Sequence, residues 1–362
     1  MRQSRTGVIK TGLYILTLAI MVYVVVYMPT PYMINQPGTA EEIKPMVTIP
    51  AGDPEEAGTF MLTTVSVSYA NLAMLATSRF QSHTEVVRKE PDRNEKEYAT
   101  QQLYYMSSSQ SNAVLAAYRL AGVEYEVVPE HVFVVGLAKT KATKGDFQPG
   151  DILSKVDGHP VKRFEDLPEL LQGKKAGDRV DVELIRNGKE ISQQVDLVEI
   201  GQEDVHRKAG LGVSVGEVRK VKPADADMEV HFADTRIGGP SAGLMFTLEI
   251  YNQLTPGDLS KGYRIAGTGT IAEDGTIGSI GGVQFKIVAS DREQAEIFFV
   301  PEANYKDAKA KADEIGTSMK LVPVKHVEEA LHYLQELPAK PSKSSKSSKS
   351  SKSSKPSTEE AA

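Results

Sequence analysis

The sequence predicts an α+β protein in which an apolar N-terminal helix precedes a β-rich module, and a region of alternating strands and helices follows. Three observations carry this reading. Gly12–Met28 is a run of seventeen residues without a charge. Between about Val127 and Glu199 the chain changes to short apolar segments punctuated by Pro-Gly, Asp-Gly and Asn-Gly turns. From residue 203 onward, strand-like segments lead through glycine-rich turns into helical periodicity.

The N-terminal run would span about 26 Å as a helix, at the short end of what crosses a bilayer. Arg2, Arg5 and Lys10 precede it and the next basic residue is Lys44, so the positive-inside rule leaves residues 1–11 in the cytoplasm and the rest of the chain outside. A cleaved secretory signal would share the basic start and apolar stretch. Against cleavage, no small-x-small site follows; the chain runs Met28-Pro29-Thr30-Pro31-Tyr32.

Residues 29–120 read as a Pro-, Gly- and acid-rich stalk (29–57) followed by a mixed α/β segment. It holds a strand at Thr59–Ser68, helices near Ala70–Ser78 and Ser109–Ala121, and an exposed charged stretch at Arg88–Lys96. Residues 121–200 form the β-rich module and residues 201–337 the α/β unit. The tail, 338–362, repeats Lys and Ser with nothing large and apolar to bury, so disorder is expected.

The formal charge of −6 is uneven: the stretch from Lys340 carries +4, leaving −10 on the rest. So acidic a body is unsuited to neutralising phosphates, and nucleic-acid binding is excluded as a function class. The absence of cysteine removes disulfides, thiolate–zinc sites and a cysteine nucleophile. No metal site or cofactor is expected.

The chemistry is concentrated late in the chain. Gly238-Gly239-Pro240-Ser241-Ala242-Gly243 follows the strand-like Met228–Phe232 and opens a helical stretch that Thr255-Pro256-Gly257 stops. Ser241 thus sits where a tight turn becomes a helix, and free N–H groups at a helix start can hold an oxyanion. Capping the helix is the alternative role for this serine. A serine nucleophile needs a base. None of the seven histidines falls in a triad signature, and neither GxSxG nor HExxH occurs. His231 is nearest in sequence and reads as a core histidine of its strand. A lysine is the other option: Gly278-Ser279-Ile280-Gly281-Gly282 feeds a helix carrying Lys286 in its first turns. It can act as a base only if burial lowers its pKa, and apolar and charged residues mix around its helical wheel.

The order GGPSAG opening a helix, Gly267-Thr268-Gly269 after a strand, IGGxxxK about forty-five residues beyond the serine, and a strand ending VPEAN closely resembles the proteolytic domain of the Lon family, over Met228–Pro338. The resemblance implies an endopeptidase with Ser241 as nucleophile and Lys286 as general base, then acid. It implies Thr268 as a support holding the lysine amine, and the backbone at Gly239, Pro240 and Ala242 as the oxyanion hole. His231 matches a strand histidine of many Lon enzymes and takes no catalytic role. Lon enzymes carry an ATPase, whereas this chain holds no GxxxxGK[ST] loop, so activity independent of ATP on flexible segments is expected. Lon-type domains often form rings, which makes a homo-oligomer compatible with the resemblance.

Residues PGDILSKVDGHPV, FEDLPELL and VDVELIRNGKE resemble a bacterial PDZ domain. That resemblance implies capture of an extended peptide beside the strand holding His131, Val132, Phe133 and Val134. Anchor, PDZ-like module and Lon-like domain together resemble extracytoplasmic Lon-like proteases of Gram-positive bacteria, which act on exported peptides or single-pass membrane proteins. The alternatives are a scaffold in which only the PDZ-like module works, and another hydrolase built on the same serine and lysine.

Overall fold

In a computed structural model, the uncharged N-terminal run as far as Tyr27 and the basic residues before it form one helix, α1 (Arg2–Tyr27). The structure describes residues 2–53, 56–89, 95–137, 143–200, 208–235 and 237–341. Within α1, Ile9–Tyr27 is long and apolar enough to cross a membrane, and none of it is buried by the rest of the chain. A signal sequence meets the same test of length and composition. The expected tail lies outside the described residues from position 342 onward.

Residues expected as a stalk are instead part of a sheet. Pro29–Glu42 is a strand, antiparallel to Thr59–Asn71 on one side and to Glu85–Arg88 on the other. It buries Met33, Ile34 and Ala40, neighbours Met33 and Ile34 on opposite faces, and composition alone concealed that because Pro29, Pro31, Pro37 and Gly38 punctuate it. Thr59–Asn71 also pairs in parallel with Arg264–Gly267. Beyond that lie Ile297–Pro301 and Lys320–Val324, both parallel, completing a six-stranded mixed sheet. The early segment and the late α/β region therefore share one sheet, and the PDZ-like module is an excursion from it.

Among the described residues seven further α-helices follow: α2 (Leu72–Ser78), α3 (Glu95–Ala121), α4 (Asp166–Leu170), α5 (Gly243–Leu254), α6 (Val283–Arg292), α7 (Tyr305–Ile315) and α8 (Val327–Glu336). Strand side chains alternate between the two faces of the sheet. Phe60, Leu62, Ile297 and Phe299 meet α3, α5 and α8, whereas Met61, Phe298 and Val300 meet α6 and α7. Both faces are covered, which is why Ile297-Phe298-Phe299-Val300 is apolar without interruption. Each fully buried phenylalanine there contributes about 1.5–3 kcal/mol.

The module between the two halves is a sheet in the order Val213–Pro223, Tyr125–Leu137, Ile152–Val156, Arg179–Arg186, Lys189–Asp196, with α4 beside it. Asn187 and Gly188 both have positive φ (52° and 74°), as the two-residue hairpin turn requires. Asp151 of the Pro-Gly-Asp turn is 1% exposed and receives both Nε and Nη2 of Arg186 at 2.7 and 2.8 Å. That bidentate pair ties the turn to the final hairpin. Helix α3 joins the two units: Tyr104 packs edge-on to Phe133 at 5.2 Å, while Ala113–Tyr118 are buried in the main core.

Candidate active site

The loop before α5 has no regular structure, and four hydrogen bonds set its path. Gly239 takes φ +92°, a left-handed conformation that suits glycine. Its N–H donates to the Gln102 carbonyl at 2.8 Å. Ser109 Oγ donates to the Pro240 carbonyl at 2.9 Å. The Ser241 carbonyl accepts from the Gly269 N–H at 2.8 Å and from Thr268 Oγ1 at 3.0 Å. Gly243 lets α5 press close: a Cβ there would come within 2.6 Å of Ile271 Cγ2 and 2.8 Å of Ser109 Oγ. Ser241 therefore projects from a loop held by α3 on one side and by the turn after Arg264–Gly267 on the other. The capping alternative does not hold, because Ala242 is the N-cap residue of α5 and no side chain caps that helix.

Helix α6 starts at Gly282, itself left-handed at φ +70°, and places Lys286 one turn in. Lys286 is 3% exposed. Its Nζ lies 2.9 Å from Ser241 Oγ and donates to the Thr63 carbonyl at 2.6 Å. Burial pushes its pKa down to about 7, because removing an ammonium from water favours the neutral amine. The helical wheel could not reveal this. Nearly every side of α6 is buried, from Val283 through Ser290, so there is no polar face to mark an exposed lysine.

The other expected residues divide. Thr268 is fully buried but its hydroxyl serves the Ser241 carbonyl; it is the Thr63 carbonyl that holds the amine. Among the expected oxyanion positions, the Gly239 N–H is already bonded to Gln102 and Pro240 has no N–H. Among the described residues, the N–H groups of Ser241 and Ala242 donate to no protein acceptor, and both lie at the start of α5. His231 is exposed, on a two-residue strand paired with Thr48, rather than a core residue. The strand at His131–Val134 does not offer a peptide a free edge. On one side these residues pair with Val218–Val215. On the other, Val132 and Phe133 face Leu153 and Ile152, and Val134 exchanges bonds with Asp151 and Gly150. Among the described residues, the outer strands of that sheet are Val213–Pro223 and Lys189–Asp196, and at the former the Arg219 carbonyl accepts from Ser111 Oγ of α3 at 3.0 Å. Gln102, Ser109 and Thr63 had no signal in the sequence, since two act through backbone carbonyls and Ser109 through a hydroxyl that reaches Pro240 only when α3 packs against the loop.

Ser241 and Lys286 open into a groove of about 900 Å³. One wall is Thr63–Val65 and Val67, the other Ile237–Ala242, with Ser279–Gly282 at the side. Arg264–Gly267 pairs with Thr59–Leu62, so among the described residues the strand edge from Thr63 onward has no partner strand on the groove side.

Residues 211–336 match the Lon protease (S16) C-terminal proteolytic domain, and residues 120–197 match the PDZ domain. The chain thus carries a PDZ domain and a Lon-type proteolytic domain. It is 31% identical to a Lon protease of Elusimicrobium minutum over 135 residues, 37% of this chain and 16% of that protein. It is 34% identical over 88 residues to a probable periplasmic serine endoprotease, DegP-like, of Pseudomonas putida, 21% of this chain and 18% of that protein. The chain therefore spans less than a fifth of the length of these curated relatives. The PDZ domain of an SdrC-like protein from Listeria monocytogenes aligns at 22% identity and a TM-score of 0.21, covering 24% of this chain and 87% of that one.

Proposed function

We propose that the chain is a serine endopeptidase in which Ser241 is the nucleophile and Lys286 its general base. The observation that carries this is the 2.9 Å contact between Ser241 Oγ and a lysine amine so buried that its pKa falls to about 7. The neutral amine accepts the Ser241 hydroxyl proton as Oγ bonds to the scissile carbonyl carbon. The resulting oxyanion is received by the N–H groups of Ser241 and Ala242. The Lys286 ammonium then donates its proton to the leaving amine as the C–N bond breaks. A water activated by the same amine hydrolyses the acyl-enzyme.

The substrate is an extended polypeptide segment, which supplies the missing strand at the Thr63–Val67 edge and so passes in front of Ser241. No step in this scheme uses ATP. The PDZ domain recruits peptide at the outer edge of Val213–Arg219, next to Phe164 and Glu165, where a cleft of about 350 Å³ opens. Helix α1 anchors the chain with its N-terminus in the cytoplasm and the groove outside, following the distribution of basic residues around it.

The test compares the full chain with Ser241→Ala and Lys286→Ala in detergent. Each is incubated with an unfolded protein and a flexible peptide library, without ATP, and the products are read by mass spectrometry. Cleavage by wild type alone is expected. Variants that cut as fast as wild type would refute the assignment of the pair.

A further inference from the structure

The described residues leave an apolar surface near the end of α1 that packing within the chain does not explain. Strand Thr59–Asn71 runs directly into α2, and the turn that continues α2 ends at Phe80. Leu72 is 43% exposed and Phe80 is 91% exposed. Ala76, midway between them, is also exposed. Spacing of four residues sets all three on one side of the helical segment, and Ser78 is buried on another. Single exposed apolar residues are ordinary, but a phenylalanine this open, on the same side as a leucine, marks a surface that meets something.

Its position indicates what it meets. Asn71, the N-cap of α2, accepts from the Met74 N–H at 2.8 Å, while its side-chain amide donates to the Val26 carbonyl at 2.6 Å. Val26 is in the last turn of α1. Tyr23 and Tyr27 stack at 5.5 Å in that same turn, and such rings favour the boundary between headgroups and acyl chains. Exposed Arg79 adds a cation suited to the headgroup layer. A short apolar face tied to the end of an apolar helix fits a lipid surface, since the helix brings that surface to it.

We infer that Leu72–Phe80 is an interfacial docking element, with Leu72 and Phe80 entering the headgroup–acyl boundary beside the end of α1. The inference rests on the anchor reading of α1. Docked in this way, Thr59–Asn71 holds Val67 about 17 Å and Thr63, beside Lys286, about 30 Å along the strand from Leu72, at 3.3 Å per residue.

The chain has no tryptophan, so Phe80→Trp gives a single fluorescent reporter. Full-length Phe80→Trp, Tyr23→Trp in α1 and Phe164→Trp in the PDZ domain are each reconstituted in phosphatidylcholine–phosphatidylglycerol vesicles carrying spin-labelled lipid. The expected result is strong lipid quenching and blue-shifted emission for Tyr23→Trp and Phe80→Trp, with Phe164→Trp left open to aqueous iodide. Lipid quenching at position 23 but not at 80 overturns the docking element and leaves the anchor standing. Absence of lipid quenching at both overturns the anchor reading and the docking element with it. Protection of position 80 from iodide without lipid quenching assigns the surface to a second copy of the chain, and the lipid assignment fails.

Discussion

Lys286 Nζ stands between Ser241 Oγ at 2.9 Å and the Thr63 carbonyl at 2.6 Å, in a place where it is 3% exposed. The carbonyl fixes one N–H direction of the amine, which turns the remaining valence toward the serine. The two side chains come from the loop before α5 and from α6, and the carbonyl comes from a strand some two hundred residues earlier in the sequence. One consequence is a pH–rate profile. In the proposed role of base the amine acts only when neutral, so kcat/KM on a flexible peptide should rise about tenfold per pH unit below about 7 and level off above it. A profile flat across that region would remove Lys286 from the role of base. Lys286→Arg keeps the charge but cannot lose its proton near neutrality, and its activity should fall to background.

The same burial makes Lys286 a cost to the fold. Its pKa is lowered in the native state, so between about 7 and its ordinary 10.5 the unfolded chain binds a proton that the native protein does not. Stability therefore rises with pH across that window, and the cost is fully present below it. Lys286→Met should be more stable than wild type at neutral pH, by on the order of a few kcal/mol. The gain should shrink as pH climbs toward 10.5. Urea denaturation at two pH values measures this, and an advantage that does not narrow would contradict the burial argument.

Thr268 tests whether the Ser241 carbonyl must be held. Thr268→Ser retains a hydroxyl that can reach that carbonyl, whereas Thr268→Val removes it from a fully buried position. The valine variant should lose about 1–3 kcal/mol of stability and at least about tenfold in kcat, with serine close to wild type. Equal rates for the two variants would show that the Gly269 N–H alone holds the carbonyl.

The loop before Ser241 depends on α3 in the same way. Gly239→Ala places a Cβ on a φ of +92°, which costs about 1 kcal/mol or more. Ser109→Ala deletes the bond to the Pro240 carbonyl, at a cost of about 1 kcal/mol. Both should lower kcat more than they raise KM, because they move Ser241, the proposed nucleophile, without touching the Thr63–Val67 edge proposed to bind substrate. Single-turnover cleavage by the folded variants separates this from a loss of folded protein.

Much of the late domain was legible because its glycine turns and apolar runs are local: GGPSAG before α5, IGG before α6, and IFFV buried on both faces. Lys286 was identifiable only through the order of motifs, since its burial comes from packing on both sides of α6. The Pro29–Glu42 strand was hidden because its prolines and bulge resemble linker composition, and its partner strands lie elsewhere in the chain. The PDZ resemblance places a peptide beside His131–Val134, an apolar segment of the sequence. That property marks a central strand here, and the pairing that decides it, with Val213–Pro223, is some eighty residues away.

A second buried ionisable group has the opposite pH dependence. The Glu56 side chain is 3% exposed, with Oε2 3.4 Å from Lys44 Nζ and Oε1 without a partner among the described residues. Glu249 on α5 is fully buried, takes a bond from Gln253 at 2.6 Å on Oε1, and likewise has Oε2 unpartnered. Burial first, and then the charge of Glu249, raise Glu56 to about 7, while Lys44 opposes them and Asp258 adds a smaller repulsion. Burial raises the Glu249 pKa as well. A carboxyl whose pKa is higher in the fold than in the unfolded chain favours folding at low pH, and that contribution is lost as pH rises through about 7. Wild type should therefore lose stability between about pH 4.5 and 7 on account of this group. Glu56→Gln keeps the size and removes the ionisation. At pH 8 it should be more stable than wild type by on the order of 2 kcal/mol, less whatever the Lys44 contact contributes, and near pH 4.5 the two should coincide. Chemical denaturation at both pH values measures the difference. A variant less stable than wild type at pH 8 would mean that the Lys44 ion pair outweighs the desolvation of Glu56, and that the carboxyl stays ionised in the fold.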